Sequence, residues 1–493
     1  MKTKEAIPNP AALMESMREI GYSTESAIAD LIDNSITAKC KKVHVRYDWN
    51  KGKPWIAVID DGTGMSSDEL LSAMHIGSIN PLDIRDREDL GRFGLGLKTA
   101  SLSQCRRFSV LSKKNNVINI AQWDLDSIDI KQKNKWSIII LDENELSLEL
   151  KKLNDKYLKN LKDGSVVFWD NIDRIDVGEI DNKKENKFNT ILANVRSHLE
   201  LVFHRYLSPS LGKRKIEISY NESSLEPFDP FFIKKSKELP VEEIIYEGSK
   251  ISVQPFVLPH HSKVSKSEYK KYEGRRGYLN EQGFYIYRNR RLIIYANWFR
   301  LIPKKEMTKL IRVRIDIPNT IDHLWKIDVK KSNAMPPQFV RDKLSNIISK
   351  IEVAGVRVYR HKGQKLISNT KDPAWERIAK ENKIFYRINT NHPLVKTHLK
   401  GLSQTQKSVI KDLFSVLENS FPQDMYFNDI ASKPEEINPP ELTINELEDL
   451  LVKYYINTKN PSKSRLNEIL LTDPFAKNIE MTKEIFTRLN YEF

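Results

Sequence analysis

Four short segments carry side chains that could do chemistry together. The first is Ala29-Asp30-Leu31-Ile32-Asp33-Asn34-Ser35. On a helix Asp30 and Asn34 stand at i and i+4 and share a face. In an otherwise apolar helix they need a polar partner. A magnesium ion and a water suit them: the Asn34 amide oxygen can ligate the ion, and the Asp30 carboxylate can orient the water. An exposed Asp–Asn pair would have the same spacing. The second segment, Ile59-Asp60-Asp61-Gly62-Thr63-Gly64-Met65, follows a strand-like run. A carboxylate at a strand end can accept the amino hydrogen of adenine, and glycines let backbone approach a base without a Cβ clash. A tight Asp-Gly turn would look similar. The third, Gly91-Arg92-Phe93-Gly94-Leu95-Gly96-Leu97-Lys98-Thr99, opens a helix with three glycines. Its backbone amides could hold phosphate, with Lys98 adding charge and Thr99 a hydroxyl. The spacing is not that of a P-loop, and no βαβ unit precedes it, so a dinucleotide fold is not expected. The fourth, Asp163-Gly164-Ser165-Val166, starts a strand with a hydroxyl that could sit near the base.

These segments must be positioned by helices and strands whose periodicity is visible. Pro10 to Ala38 has helical apolar spacing, and Val43–Tyr47 with Trp55–Ile59 reads as a hairpin. Strand-like runs follow at Arg107–Leu111, Ile118–Trp123, Ser137–Leu141 and Gly164–Trp169, then a long amphipathic helix from Phe188 to Tyr206. A second group of strand-like runs covers Lys215–Tyr220, Ile251–Phe256, Gly283–Tyr287, Arg291–Tyr295 and Lys309–Ile317, closed by a helix at Val340–Val358. Beyond Arg360 the chain is polar and mostly helical. Boundaries near 210 and 360 therefore divide it into 1–210, 211–358 and 359–493, within an α+β fold class.

The order of the four segments, about 30, 30 and 70 residues apart, resembles the GHKL superfamily. The resemblance implies a Bergerat fold in residues 1–210, a mixed sheet with helices on one face, binding ATP with Mg2+. It assigns Asn34 to magnesium, Asp60 to the adenine, and Gly62, Gly64 and Met65 to the base. Gly91, Gly94, Leu95, Gly96, Lys98 and Thr99 fall at the phosphates, Ser165 near the base, and Gly77 to Leu90 becomes a lid. MutL, MORC proteins and the ninety-kilodalton heat-shock chaperones have a catalytic glutamate where this chain has Asp30, one methylene shorter, so the resemblance implies slow hydrolysis. Only 29 residues precede Asp30 and none is histidine, so the histidine-kinase branch is not expected. Residues 211–358 resemble the transducer domain of MutL, topoisomerases and MORC-like proteins, in which a lysine reaches the γ-phosphate; here it is one of Lys330 and Lys331. Through Gly164 to Ile172, Gly283 to Leu301 and Arg312 to Pro337 the chain also resembles prokaryotic MORC-like, MutL-related ATPases, some of which accompany restriction or phage-defence genes.

The 493 residues carry a formal net charge of +14, from 80 Lys and Arg against 66 Asp and Glu. Such an excess favours a polyanionic partner. From Pro259 to Lys305 twelve Lys or Arg face three acids, with tyrosines and phenylalanine interleaved. Sequence-independent DNA binding through Lys263 to Lys305 is the expectation, by an ATP-dependent homodimer acting as a clamp. The alternatives are a chaperone-like protein remodeller and an ATP-binding switch with negligible hydrolysis. Cys40 and Cys105 have no metal-like spacing, so neither zinc nor a disulfide is expected. No apolar run is long enough for a bilayer and none follows Met1, so a cytoplasmic protein without signal peptide or membrane contact is expected.

Overall fold

The computed structural model describes residues 3, 8–77, 90, 96–127, 130, 135–174, 181–209, 213–326, 335–360, 372–380, 383–422, 425–426, 442–456 and 461–491. The chain divides into two compact units, Met1–Gly355 and Val356–Phe493.

The first unit begins with two helices where the sequence suggested one helical stretch: α1 (Pro10–Arg18) and α2 (Thr24–Thr37). The break falls at Ile20-Gly21-Tyr22, and Ser23 restarts the helix by accepting the Ser26 amide on its side chain. A hydroxyl at this N-cap satisfies a donor that the first turn leaves free. Next come β1 (Lys42–Asp48), β2 (Trp55–Asp60), α3 (Ser67–Met74), α4 (Gly96–Leu102), β3 (Cys105–Lys114), β4 (Val117–Asp124), β5 (Ile139–Ile140) and β6 (Gly164–Ile172). With β7 (Glu217–Tyr220) and β8 (Ser223–Ser224) they build an eight-stranded sheet in the order β5-β4-β3-β6-β2-β1-β7-β8. The sheet is mixed, because β1 and β7 run parallel while the other neighbours are antiparallel. Pairing of Lys42–Val45 with Glu217–Tyr220 thus brings a strand from beyond residue 210 into this first sheet.

Strand side chains alternate between faces. Val43, Val45, Ile56, Val58, Phe108 and Val110 meet α2, α4 and the helix Asp181–Val202 in one core. Ala57, Ile59, Leu111, Val166 and Phe168 point the other way, under the short helix Leu148–Leu153. Cys40 and Cys105 are free, buried thiols.

The second sheet, in the same unit, has the order β10-β11-β14-β12-β13, with β9 on β11. Its strands are β9 (Lys237–Glu238), β10 (Glu242–Tyr246), β11 (Ser249–Val257), β12 (Gly283–Arg288), β13 (Arg291–Asn297) and β14 (Ile311–Ile317). Helix Gln338–Arg360 covers one face with Val340, Leu344, Ile347, Ile348 and Ile351. On the other face Phe231, Phe256, Tyr285, Tyr287 and Leu292 cluster beside Leu201 of the helix Asp181–Val202.

The second unit is mostly helical, with helices at Pro393–Lys400, Gln404–Asn419, Ile444–Tyr454, Lys463–Ile469 and Ile479–Arg488. It also holds an antiparallel hairpin, Trp375–Lys380 with Lys383–Ile388, that the sequence pattern did not suggest. Among the described residues no helix is long and apolar enough to cross a membrane.

The Trp169 indole on β6 is fully buried and donates to Ser101 Oγ of α4 at 2.8 Å, tying the helix to the sheet. Ser101→Ala leaves that N–H without its acceptor, so stability should fall by about 1–3 kcal/mol. Denaturant unfolding followed by tryptophan fluorescence measures this; an unchanged midpoint would mean the bond does not anchor α4.

Candidate nucleotide site

Helix α2 is buried from Ala27 through Asp33, yet Asn34 is exposed. The Asn34 carboxamide thus faces away from the core, where a ligand could reach it. Asp30, one turn earlier, is only 4% exposed and accepts the Tyr22 hydroxyl at 3.0 Å. Its Oδ2 lies 3.8 Å from where a Cβ on Gly96 would stand. The structure therefore brings the first segment against the last glycine of the third.

Asp60 ends β2 beneath α2. Its Oδ2 accepts the Ser35 hydroxyl at 2.8 Å and its Oδ1 accepts the Gly62 amide at 2.9 Å. Burial raises its carboxyl from 3.8 to about 6, while those two donors pull it down. Ser35, one residue past the recognised Asp–Asn pair, is thus a positioning group that sequence reasoning missed. Asp61 turns away and accepts the amides of Lys41 and Lys42 at 2.7 and 2.8 Å.

Strand register extends the polar surface from Asp60. Asp60 pairs with Ser165, Ser165 with Ser112, and Ser112 with Asn119, so the four share one face of β2, β6, β3 and β4. Ser112 Oγ lies 2.8 Å from Ser165 Oγ and accepts the Met65 amide at 2.8 Å. Asn119 Nδ2 donates to the Met65 carbonyl at 3.4 Å. Ser165 stands where the fourth segment suggested; Ser112 and Asn119 carried no sequence signal, since a polar residue in a strand is ordinary. A Cβ on Gly62 would fall 2.8 Å from the Ala38 carbonyl oxygen, and one on Gly64, at φ +58°, 1.9 Å from the Lys113 carbonyl oxygen. Only glycine lets this loop lie against the α2 end and β3.

Lys98 stands in the first turn of α4 with its ammonium turned to the end of α3. It is buried and donates to the carbonyls of Ala73 at 3.0 Å and His75 at 2.8 Å. The carbonyls at the end of α3 attract a cation, and burial lowers the ammonium to about 8. Thr99 is fully buried. Gly91, Gly94, Leu95, Lys330, Lys331 and the lid interior at 78–89 lie outside the described residues.

The basic stretch separates into two parts. Lys263, Lys266, Lys270, Lys271, Arg275, Arg276, Arg300, Lys304 and Lys305 are exposed. Arg288 and Arg291 are buried, and Arg290 donates to the Arg214 carbonyl at 3.0 Å, so these three do not belong to a solvent-facing patch. The interleaved aromatics are internal too: Tyr285 and Tyr287 are buried, and Tyr272 stacks on Phe232 at 3.8 Å. No group of three or more metal-ligating His, Cys, Asp or Glu occurs among the described residues.

A carboxylate raised to about 6 gives two signed expectations. The folded state binds a proton more readily than the unfolded chain, so Asp60's contribution to stability falls as pH rises from about 4 to about 6 and is flat above. An adenine amino group needs the charged form, so affinity for a non-hydrolysable ATP analogue should rise through the same range. Ser35→Ala removes a donor to the carboxylate and should move this acid limb to higher pH. Asp60→Asn should lose at least about 1.5–3 kcal/mol of binding at neutral pH. Calorimetry across pH tests both; equal profiles for wild type and Ser35→Ala would sink the assignment.

Residues 22–157, which span α2, the Asp60 loop, α4 and β3, match the family described as histidine kinase-, DNA gyrase B-, and HSP90-like ATPase. The chain is 28% identical over 167 residues to human structural maintenance of chromosomes flexible hinge domain-containing protein 1, a match covering 27% of this chain and 8% of that protein. It is 24% identical over 232 residues to ATPase morc-1 of Caenorhabditis elegans, covering 38% of this chain and 26% of the relative. The chain thus spans only a minor part of these relatives. The mixed sheet with helices packed on it fits this match: the chain carries a GHKL-type, Bergerat-fold ATPase domain and is similar to a MORC-type ATPase.

Proposed function

We propose that this protein is a magnesium-dependent ATPase of slow turnover that acts as a nucleotide-gated dimeric clamp on DNA. The observation that carries the ATPase reading is a pair of buried carboxylates tied to α2: Asp30 on the helix, beside Gly96, and Asp60 at the end of β2, bonded to Ser35. Asp60 accepts a hydrogen from the base. Asp30 orients the attacking water, because a carboxylate held by Tyr22 has a fixed direction. Magnesium held by Asn34 would neutralise phosphate charge. One of Lys330 and Lys331 completes the phosphate contacts in this reading, and Lys98 reaches them if it leaves the α3 carbonyls.

The DNA reading rests on charge. Helix Lys266–Glu273 buries none of its residues and carries Lys266, Lys270 and Lys271 outward. Clamp closure by ATP-driven dimerisation, and a setting in restriction or phage defence near the MutL-related branch, follow from the likeness to prokaryotic MORC-like ATPases. A chaperone-like remodeller is the competing reading.

Asp30→Ala should retain the ATP analogue and lose turnover by about 10²–10⁴-fold, the usual worth of a general base. Steady-state phosphate release measures it; equal rates would place the base elsewhere.

Charge reversal at Lys266, Lys270 and Lys271 should weaken every duplex sequence about equally. It should also flatten the log–log salt dependence, whose slope is roughly −0.9 per phosphate neutralised. Fluorescence anisotropy over a salt series tests this, with light scattering in the presence of the analogue to follow dimerisation. Wild type without DNA affinity at low salt would favour the remodeller.

A further inference from the structure

Asp33 stands beside Asn34 on α2, yet it belongs to a different set of contacts. Its two oxygens accept Arg291 Nε at 3.2 and 3.3 Å, with side chains only 2% and 6% exposed. Arg291 starts β13, and across a two-residue turn it pairs with Arg288, the last residue of β12. Arg288 is buried and donates to the Leu90 carbonyl. The Leu90 amide donates to Thr37 Oγ1 at 3.3 Å, and that hydroxyl donates to the Asp33 carbonyl at 3.0 Å. The contacts close into a ring: Asp33, Arg291, Arg288, Leu90, Thr37 and back to Asp33.

A ring of this kind fixes a rotation. On α2 a bond at Asp33 sets the roll of the helix, and with it the direction of Asp30 and Asn34 on the neighbouring face. The Leu90 end holds the residue directly ahead of Gly91. We propose that Arg288 and Arg291 are positioning residues for ATP hydrolysis, so that the second sheet must be docked on α2 for turnover. This rests on the ATPase reading above. Base recognition shares only the Ser35 bond with α2, because Asp60 ends β2 and also accepts the Gly62 amide. Turnover should therefore depend on the ring far more steeply than nucleotide affinity does. Arg290, in the same turn, donates to the Arg214 carbonyl and lies over the Tyr206 ring at 4.2 Å, and it is not one of the residues that close the ring.

The full chain carrying Arg291→Gln or Arg288→Gln should lose kcat on the order of 10²-fold, the scale of a misplaced reacting group, while its affinity for a non-hydrolysable ATP analogue falls far less. Arg290→Ala should keep kcat. Arg291→Gln leaves a buried carboxylate without its cation and risks unfolding. The double variant Asp33→Asn with Arg291→Gln removes both charges, and it should fold with the wild-type thermal midpoint yet remain slow. Wild-type kcat in Arg288→Gln and in a folded double variant would overturn the inference. So would affinity and kcat falling in parallel. A wild type that binds the analogue and never releases phosphate sinks the ATPase reading itself, and this inference with it.

Discussion

Everything at the candidate site depends on one requirement: a helix packed into the core must satisfy every polar group it carries inward. Helix α2 buries Asp30, Asp33 and Ser35 among Ala27, Ile28, Leu31, Ile32 and Ile36. A carboxylate in such surroundings is costly unless hydrogen-bonded or paired. The helix meets the requirement in three directions. Asp30 accepts the Tyr22 hydroxyl, the Ser35 hydroxyl donates to Asp60, and Asp33 accepts Arg291 from the second sheet. Between Asp30 and Ser35 the Asn34 side chain is left exposed to solvent. The orientation of the candidate catalytic face and the docking of the second sheet are consequences of the same polar requirement on one helix.

The eight-stranded sheet supplies the opposing wall. Antiparallel register places directly paired residues on one face, which is how Asp60, Ser165, Ser112 and Asn119 form a continuous row across four strands, of which only β3 and β4 follow directly on one another in sequence. The row carries hydroxyls and an amide instead of aliphatic groups, and it ends at the Met65 backbone, which Ser112 and Asn119 hold by its amide and carbonyl. The glycine loop can lie there because Gly62 and Gly64 have no Cβ to meet Ala38 and Lys113.

Positive charge has two separate uses. Arg288 and Arg291 sit in the protein interior and bind α2 and Leu90, whereas the lysines of helix Lys266–Glu273 face solvent. Arginine suits the interior role because its planar, permanently charged fork bonds a carboxylate or carbonyl in a fixed direction. Lysine on an exposed helix suits diffuse attraction to a polyanion. A linear count of cations merges the two.

The sequence by itself determined the motif order, the helix and strand runs that flank it, and the identity of Asp30, Asn34, Asp60, Gly62, Gly64 and Ser165 as candidates, because each depends on local spacing and local periodicity. It also determined the mixed α and β character, since periods of 3.6 and 2 are readable within about ten residues. Only the tertiary structure decided the partners. Asp33 meets Arg291 across 258 positions, and Ser112 meets Ser165 across 53. Neither side chain differs in type from an ordinary surface or strand residue. Lys98 shows the same rule: its place beside glycines suggests phosphate, and the fold adds the carbonyl end of α3 as a set of acceptors that no local spacing foretold. Residue type and spacing state what a side chain can do; burial and long-range pairing decide which of those acts remains open to it.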